Sequence, residues 1–302
     1  MTITKEITAE LHSIRDFMRW AMTQFYQAEV YFGHGTDNAW DEAAILLSHV
    51  LHLPPTVDKE VLDARLTKEE KYKIIELIER RIYERIPAAY LTHEAWFAEL
   101  PFYVDNRVLI PRSSLGELII KQFEPWIKPE NIKNILDLGT GSGCIAIACA
   151  LAFPEATVDA ADVSQDALDV AKLNVEKHKV SDQVKLIKSD IFASLNDKIY
   201  DIIISNPPYV ASAEIEELPA EYAHEPKIAL AAGKEGLDII TRILHTAKKH
   251  LSNDGVLIVE VGNSENAVIE RFPHLPFTWI EFEKGEGGVF LITKEQLTNE
   301  IF

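Results

Sequence analysis

The chain has 302 residues, 47% of them hydrophobic, which is enough apolar material for one large domain and a smaller one. Its formal net charge of −18 argues against a protein that holds bare nucleic acid through phosphate contacts, because that binding depends on lysine and arginine. The only two cysteines, Cys144 and Cys149, lie in one apolar run that predicts a buried helix, which argues against a disulfide framework and indicates a reducing compartment.

The N-terminal segment lacks the basic start and apolar core of a secretion signal. No stretch of the sequence approaches the length of apolar residues that is needed to cross a bilayer. We therefore expect a soluble, cytoplasmic protein with no membrane partner.

The N-terminal part of the chain has a helical pattern. From Ile7 to about Arg85, apolar residues recur at spacings of three and four, with no strand-like alternation. One helix is expected to end before Pro54 and another to begin at Thr67, because Glu70 three positions later completes a capping box. These patterns predict a small helical bundle over residues 1–86.

A short segment of different composition follows the helices. Between Pro87 and Pro111, aromatic and β-branched residues dominate, which predicts a hairpin that links two domains over residues 87–112.

The rest of the chain, residues 113–302, alternates between strand-like apolar runs and helical stretches. This alternation predicts an α/β domain with a Rossmann-like, mostly parallel sheet, helices on both faces and one antiparallel edge strand. A loop that includes Gly285 is expected between the last two strands. The predicted strands cover residues 135–138, 156–161, 184–187, 200–205, 255–260, 277–282 and 289–293.

A glycine-rich loop follows the first predicted strand of this sheet, with the sequence Asp137-Leu138-Gly139-Thr140-Gly141-Ser142-Gly143. Its glycines allow backbone N–H groups to approach a ligand closely. A simple strand-to-helix turn and a dinucleotide site are the alternatives. The Gly-x-Gly-x-Gly spacing after an aspartate resembles the first motif of S-adenosylmethionine (AdoMet) methyltransferases. That resemblance implies that Asp137, Gly139, Thr140, Gly141 and Gly143 hold the methionyl part of AdoMet.

Two further carboxylates end predicted strands of the same sheet. Asp162 lies 19 residues after Gly143, where a carboxylate can accept hydrogen bonds from both ribose hydroxyls of an adenosine. The alternative is a helix N-terminal carboxylate before Ser164. Asp190 ends the third strand, where the methyltransferase pattern has a carboxylate beside the adenine amino group.

The segment Asn206-Pro207-Pro208-Tyr209 follows the fourth predicted strand. Its two prolines fix the backbone and lack N–H donors, so the carbonyls can face a ligand. The Asn206 side-chain oxygen and the Pro207 carbonyl can accept the two hydrogens of a planar amide or amino group, which frees the nitrogen lone pair for methyl transfer. Tyr209 is expected to pack against that group, and no strong base is needed. We predict catalytic roles for Asn206, Pro207 and Tyr209, substrate contacts from all four residues, and a cofactor contact from Asn206.

Together these motifs resemble the amino-methyltransferases that use an Asn-Pro-Pro-Tyr loop, and the resemblance spans essentially the whole chain. Within that class the sequence is similar to the glutamine methyltransferases of translation proteins, and in particular to the branch that acts on the third protein of the large ribosomal subunit. The segments that carry this similarity are residues 86–92, 96–97 and 108–113 for the family, and residues 32–36 and 93–97 for the branch. Residues 114–116 depart from it, with Ser-Leu-Gly in place of Pro-Ile-Ala.

The resemblance implies an AdoMet-dependent enzyme that methylates a glutamine side-chain amide in a basic ribosomal protein, with residues 1–86 recognising that substrate. Neither a metal site nor direct sequence-specific binding of nucleic acid is expected. Three alternatives remain: the sister branch that modifies the Gly-Gly-Gln motif of release factors, a DNA adenine methyltransferase, and a binding module without turnover. Arg112 and Glu225 lie in family-like stretches near the expected cleft, where Arg112 serves either the site or a structural ion pair.

Overall fold

The computed structural model describes residues 2–54, 56–282 and 287–297, and the chain forms two compact units. The first unit extends to Glu94 and includes the later segment Pro219–His224. The second contains Ala95–Leu218 and the chain from Glu225 onward. No helix in the described ranges is both long enough and apolar enough to cross a membrane.

The first unit is helical, as predicted. The helix Lys68–Tyr83 begins after Thr67, whose side chain accepts from the Glu70 backbone N–H while the Glu70 carboxylate accepts from the Thr67 N–H, so the predicted capping box is confirmed. The preceding helix ends before Pro54, with His52 in the left-handed region. The helices are α1 (Thr2–Glu10), α2 (Ile14–Gln27), α3 (Ala39–Leu51), α4 (Lys68–Tyr83) and α5 (Ala88–Thr92).

An apolar core joins α2, α3 and α4, because each helix places a stripe of hydrophobic residues on one face. The side chains of Phe17, Phe25, Leu46 and Ile78 are almost wholly buried there. At roughly 1.5–3 kcal/mol for each large apolar side chain, this burial is the main force that holds the helices together.

A buried ionic cluster lies beside that core. The guanidinium of Arg81 is 1% exposed and contacts the carboxylates of Glu42 and Glu221, the latter at 3.0 Å. It also donates a hydrogen bond of 2.7 Å to the Tyr31 carbonyl. Glu221 belongs to Pro219–His224, so this cluster fixes that segment within the helical unit.

A hairpin follows the helices, formed by β1 (Glu94–Phe97) and β2 (Leu100–Tyr103). It is shorter than the predicted segment 87–112, because residues Ala88–Thr92 form helix α5 and no strand follows Tyr103 in that segment. The remaining α-helices and strands in chain order are α6 (Leu115–Ile120), β3 (Asn134–Leu138), α7 (Cys144–Ala152), β4 (Thr157–Asp162), α8 (Gln165–Lys177), β5 (Val184–Lys188), β6 (Tyr200–Ser205), α9 (Asp238–Ala247), β7 (Leu251–Glu260), α10 (Glu265–Arg271), β8 (Thr278–Trp279) and β9 (Val289–Thr293). The seven-stranded sheet of the second unit has the order β5-β4-β3-β6-β7-β9-β8.

Strands β3 to β7 are parallel, which confirms the predicted Rossmann-like sheet. The predicted antiparallel strand is β9, although it lies inside the sheet and the two-residue β8 occupies the edge. The strand expected over residues 277–282 is therefore much shorter than predicted. Gly285 of the loop before β9 lies outside the described residues.

Each parallel strand contributes to two hydrophobic cores, one on each face of the sheet, because successive side chains point to opposite faces. Ile135 and Ile204 belong to the core on one face, and Leu136 and Ile203 to the core on the other. The carboxyl ends of the parallel strands consequently meet along one edge of a rigid sheet.

Candidate active site

A cavity of about 330 Å³ opens at this carboxyl edge in the second unit, within the volume range of small-molecule sites. Residues of β3, β4 and β6, and of the loops that follow β3, β4, β5 and β6, line much of it. Seven of the residues singled out in the sequence lie on its wall: Gly139, Gly141, Asp162, Asp190, Asn206, Pro207 and Pro208.

The glycine loop has the open backbone that its sequence predicts. Gly139, Gly141 and Gly143 all have positive φ, at 73°, 54° and 81°, a region that favours glycine. A Cβ on Gly141 would meet no atom within 4 Å, so this residue faces open space. A Cβ on Gly143 would lie 3.2 Å from Ala171 Cβ, so this glycine allows close packing of α7 on α8 instead.

Asp137 lies beneath the loop and is fully buried, so within the described chain it is not part of the cavity wall. Its Oδ2 accepts hydrogen bonds from Thr140 Oγ1 at 2.5 Å and from the Ala146 backbone N–H at 3.1 Å. Its Oδ1 has no hydrogen-bond partner among the described residues. Burial raises the pKa of Asp137 to about 7.

This raised pKa predicts a pH-dependent stability. The folded state holds the Asp137 proton more tightly than the unfolded chain, so the stabilisation is complete below about pH 4 and is lost as the pH rises toward 7. Asp137→Asn cannot titrate at this position. As the pH rises from 5 to 8, we expect its free energy of unfolding to increase by roughly 2–4 kcal/mol relative to that of the natural protein. Urea unfolding of both proteins without cofactor measures the difference, and a difference that does not change with pH would contradict the expectation.

Asp162 connects the glycine loop to the end of β4. Its two carboxylate oxygens accept from the backbone N–H groups of Gly141 and Ser164, both at 2.9 Å. Burial raises the pKa of Asp162 above its usual value, although these N–H groups act in the opposite direction. The geometry is therefore compatible with both interpretations of Asp162. It lies on the cavity wall, as a ribose-binding carboxylate would, and it also lies at the start of α8, as a helix N-terminal carboxylate would.

Asp190 lies on the same wall, and its side chain remains 54% exposed. The Arg242 guanidinium donates a hydrogen bond of 2.8 Å to its Oδ2, which leaves the rest of the carboxylate open to solvent.

The Asn206 loop leaves the sheet between β3 and β7. Ser205, the last residue of β6, pairs with Leu138 of β3 and Val259 of β7, and its hydroxyl donates to the Leu138 carbonyl at 2.7 Å. A Cβ on Gly139 would lie 4.0 Å from the Asn206 carbonyl oxygen, so the two loops are neighbours. Within the described chain the Asn206 side chain makes no hydrogen bond, and it remains available to a ligand on the cavity wall.

Tyr209 is not among the described residues that line the cavity. Its ring packs against Gly262, where a Cβ would come within 2.7 Å of a ring carbon. The Ser264 hydroxyl donates to the Tyr209 carbonyl at 3.0 Å. The next residue, Val210, exchanges backbone hydrogen bonds with Leu230 and Ala232. These contacts fix the end of the loop.

The sequence left two roles open for Arg112, and the structure shows it in an ion pair. Its two terminal nitrogens donate to the two carboxylate oxygens of Glu225 at 2.6 and 2.8 Å, and the Ile110 backbone N–H adds a third bond of 3.0 Å. The Glu225 carboxylate is fully buried. The pair ties together two segments that line the cavity, residues 107–109 and the chain from Pro226 to Ala231.

These two segments supply wall residues that the sequence did not single out for the site. They include Arg107, Val108, Leu109, Ile228, Ala229 and Ala231. Of these, only Val108 and Leu109 had a sequence signal, the family-like run over residues 108–113, which gave no individual roles.

We looked for metal-binding side chains and reactive cysteines in the part of the chain that the structure describes. No group of three or more His, Cys, Asp or Glu side chains there is placed to hold a metal ion. Both cysteines are buried, and burial raises the pKa of Cys144 to about 12, so this thiol is protonated at neutral pH.

Known proteins match both the fold and the sequence. A family model described as the methyltransferase small domain matches residues 117–223. The ribosomal protein uL3 glutamine methyltransferase of Neisseria meningitidis serogroup B (strain MC58) is 50% identical over 292 residues, which cover 96% of each chain. Its counterpart from Neisseria gonorrhoeae is 49% identical and covers 96% of this chain and 97% of the relative.

The chain belongs to this methyltransferase family. The membership confirms the family and the branch that the sequence motifs indicated, and it makes the protein an enzyme. Among solved structures, the hMettl16 catalytic domain in complex with MAT2A 3′UTR hairpin 6 superposes with a TM-score of 0.52 at 19% identity, and covers 81% of this chain and 90% of the other. At that identity the likeness concerns the fold alone.

Proposed function

We propose that this enzyme transfers a methyl group from AdoMet to the side-chain amide nitrogen of a glutamine in ribosomal protein uL3. The observation that carries the proposal is the juxtaposition of Asn206 and Pro207 with the glycine loop on one cavity wall, in a chain about half identical to uL3 glutamine methyltransferases.

The residues of the cavity fit AdoMet. Open space at Gly141 admits a ligand against the backbone, and the Asp162 and Asp190 carboxylates can accept hydrogen bonds from ribose hydroxyls and an adenine amino group. The buried Asp137 Oδ1 lacks a hydrogen-bond partner among the described residues, so it leaves an unsatisfied acceptor beneath the loop that would hold the methionyl part of the cofactor. When bound, AdoMet supplies an electrophilic methyl group on a sulfonium sulfur.

The Asn206 loop performs the chemistry on the substrate side. The Asn206 side-chain oxygen and the Pro207 carbonyl accept the two hydrogens of the glutamine amide, which withdraws the nitrogen lone pair from resonance and holds it toward the methyl donor. A C–N bond forms as the S–C bond breaks, and the methylated nitrogen then loses one proton to water. Pro208 adds rigidity, and Tyr209 packed on Gly262 fixes the far end of the loop.

The net charge of −18 supports a basic ribosomal protein as the partner, since opposite charges favour association. We propose the cytoplasm as the location, because ribosomal proteins are made and modified there. Substrate recognition by residues 1–86 is part of the same proposal.

Transfer assays with labelled AdoMet test the substrate. Purified uL3, a release factor and duplex DNA are offered separately, and we expect one methyl group on a uL3 glutamine and none on the other two. Exclusive labelling of the release factor would refute the proposed branch, and labelling of DNA alone would restore the adenine methyltransferase alternative.

Asp162→Ala is expected to weaken binding of S-adenosylhomocysteine, the product of AdoMet, about tenfold or more. The variant removes a carboxylate that would accept charge-assisted hydrogen bonds from the ribose, each worth about 1.5–3 kcal/mol. Isothermal titration calorimetry measures the dissociation constant. Asp166→Ala, in the first turn of α8 and exposed, is the matched control. Unchanged affinity in Asp162→Ala would exclude the ribose contact.

A further inference from the structure

Arg107 places a guanidinium on the wall of the cavity. Among the described residues that line it, Arg107 is the only lysine or arginine, and the acidic side chains there are Asp162 and Asp190. The glutamine amide of the proposed substrate is uncharged and needs no cation.

The neighbouring Asp105 holds this guanidinium in one orientation. Asp105 Oδ1 accepts from the Arg107 Nε at 2.9 Å and from its backbone N–H at 3.0 Å, and Oδ2 accepts from Nη2 at 2.6 Å. The Tyr103 hydroxyl donates to the same Oδ2 at 3.0 Å. Burial acts to raise the pKa of Asp105, but the hydrogen bonds from Arg107 prevail and lower it, so the pair stays ionised at neutral pH.

The hydrogen bonds with Asp105 use only one edge of the Arg107 guanidinium. In the described part of the chain the Nη1 nitrogen of Arg107 makes no hydrogen bond, and 35% of the side chain is exposed. An arginine with one edge fixed and the other free on a cavity wall is suited to a carboxylate, which its planar donors match.

We infer that Arg107 binds the carboxylate at the amino-acid end of the methyl donor. The inference rests on the proposed function, because AdoMet is the ligand there that carries a carboxylate. Asp162 and Asp190 repel such a group and suit the adenosine end, so the charges of the wall give the cofactor one orientation. Asp105 acts as a positioning residue for Arg107.

The test compares two ligands that differ at the relevant end. S-adenosylhomocysteine carries the amino-acid carboxylate, whereas 5′-methylthioadenosine has the same adenosine and a thioether without it. Calorimetric titration of Arg107→Met should give a dissociation constant for S-adenosylhomocysteine raised about tenfold or more, with that for 5′-methylthioadenosine within about twofold of the natural protein. Arg107→Lys, which keeps the charge, should recover part of the loss.

Arg15→Met is the matched control, since Arg15 also pairs with an aspartate, Asp63 at 2.8 Å, but lies in the helical unit. It should change neither dissociation constant. Equal weakening of both ligands by Arg107→Met would show a merely structural role and overturn the inference. Unchanged S-adenosylhomocysteine binding with a raised KM for uL3 would place Arg107 against the polypeptide and overturn it as well. A natural protein that binds neither compound would refute the proposed function itself.

Discussion

Replacement of Asn206 by alanine is expected to lower kcat for methyl transfer about 10²–10³-fold, the loss seen when one preorganised polar group is removed from a reacting centre. The Asn206 side chain has no other hydrogen bond within the described chain, so the variant removes a ligand contact and little else. The dissociation constant for S-adenosylhomocysteine should change much less than kcat, because the loop beside Gly139 keeps its backbone.

Single-turnover rates with uL3 and calorimetric titration of S-adenosylhomocysteine separate these two effects. Asn131→Ala, at an exposed position in the short 3₁₀ helix Pro129–Asn131, provides the control and should retain full activity. Full turnover in Asn206→Ala would contradict the proposed hold on the glutamine amide. Equal losses in turnover and in cofactor binding would instead assign Asn206 to the cofactor.

Arg81→Ala is expected to cost about 3–5 kcal/mol of folding free energy, because it leaves the Glu42 carboxylate buried without its cation and leaves Glu221 with only Arg85, 3.5 Å away. Arg81 is 1% exposed, and the side chains of its partners Glu42 and Glu221 are 3% and 2% exposed. The loss should appear as a lower melting temperature and a lower urea midpoint.

The adjacent Arg80 offers a matched control for this prediction. Arg80 is 42% exposed and lies 3.6 Å from Glu84 one helical turn away, a solvent-exposed pair that contributes less than about 1 kcal/mol. Arg80→Ala should therefore unfold nearly as the natural protein does. Similar losses in the two variants would mean that helix propensity, and not the buried charges, accounts for the effect of Arg81→Ala.

Local patterns in the sequence were sufficient for most elements of the fold and for the two central loops. The capping box joins Thr67 and Glu70, three positions apart, and the glycine loop and the Asn206 loop each follow a strand directly. Because parallel strands place their carboxyl ends on one edge, these loops lie close together, beside Gly139.

The position of each predicted residue around the site was less accessible to sequence reasoning. Asp137 belongs to the first motif but lies beneath the loop, because the Thr140 hydroxyl and an N–H of α7 draw its carboxylate inward. Tyr209 was expected against the substrate, and its ring packs on Gly262, a residue that no local pattern connects with it.

The sequence by itself determined the α/β class, the methyltransferase family and the two loops of the site, because each depends on residues that are neighbours along the chain. Only the tertiary structure decided that Arg112 holds Glu225 across 113 positions, that Arg81 holds Glu221 across 140, and that Arg107 lies on the cavity wall. The physical reason is that a buried charge needs an oppositely charged partner close to it in space. Which residue that is depends on the tertiary fold, and the spacing of residues along the sequence does not reveal it.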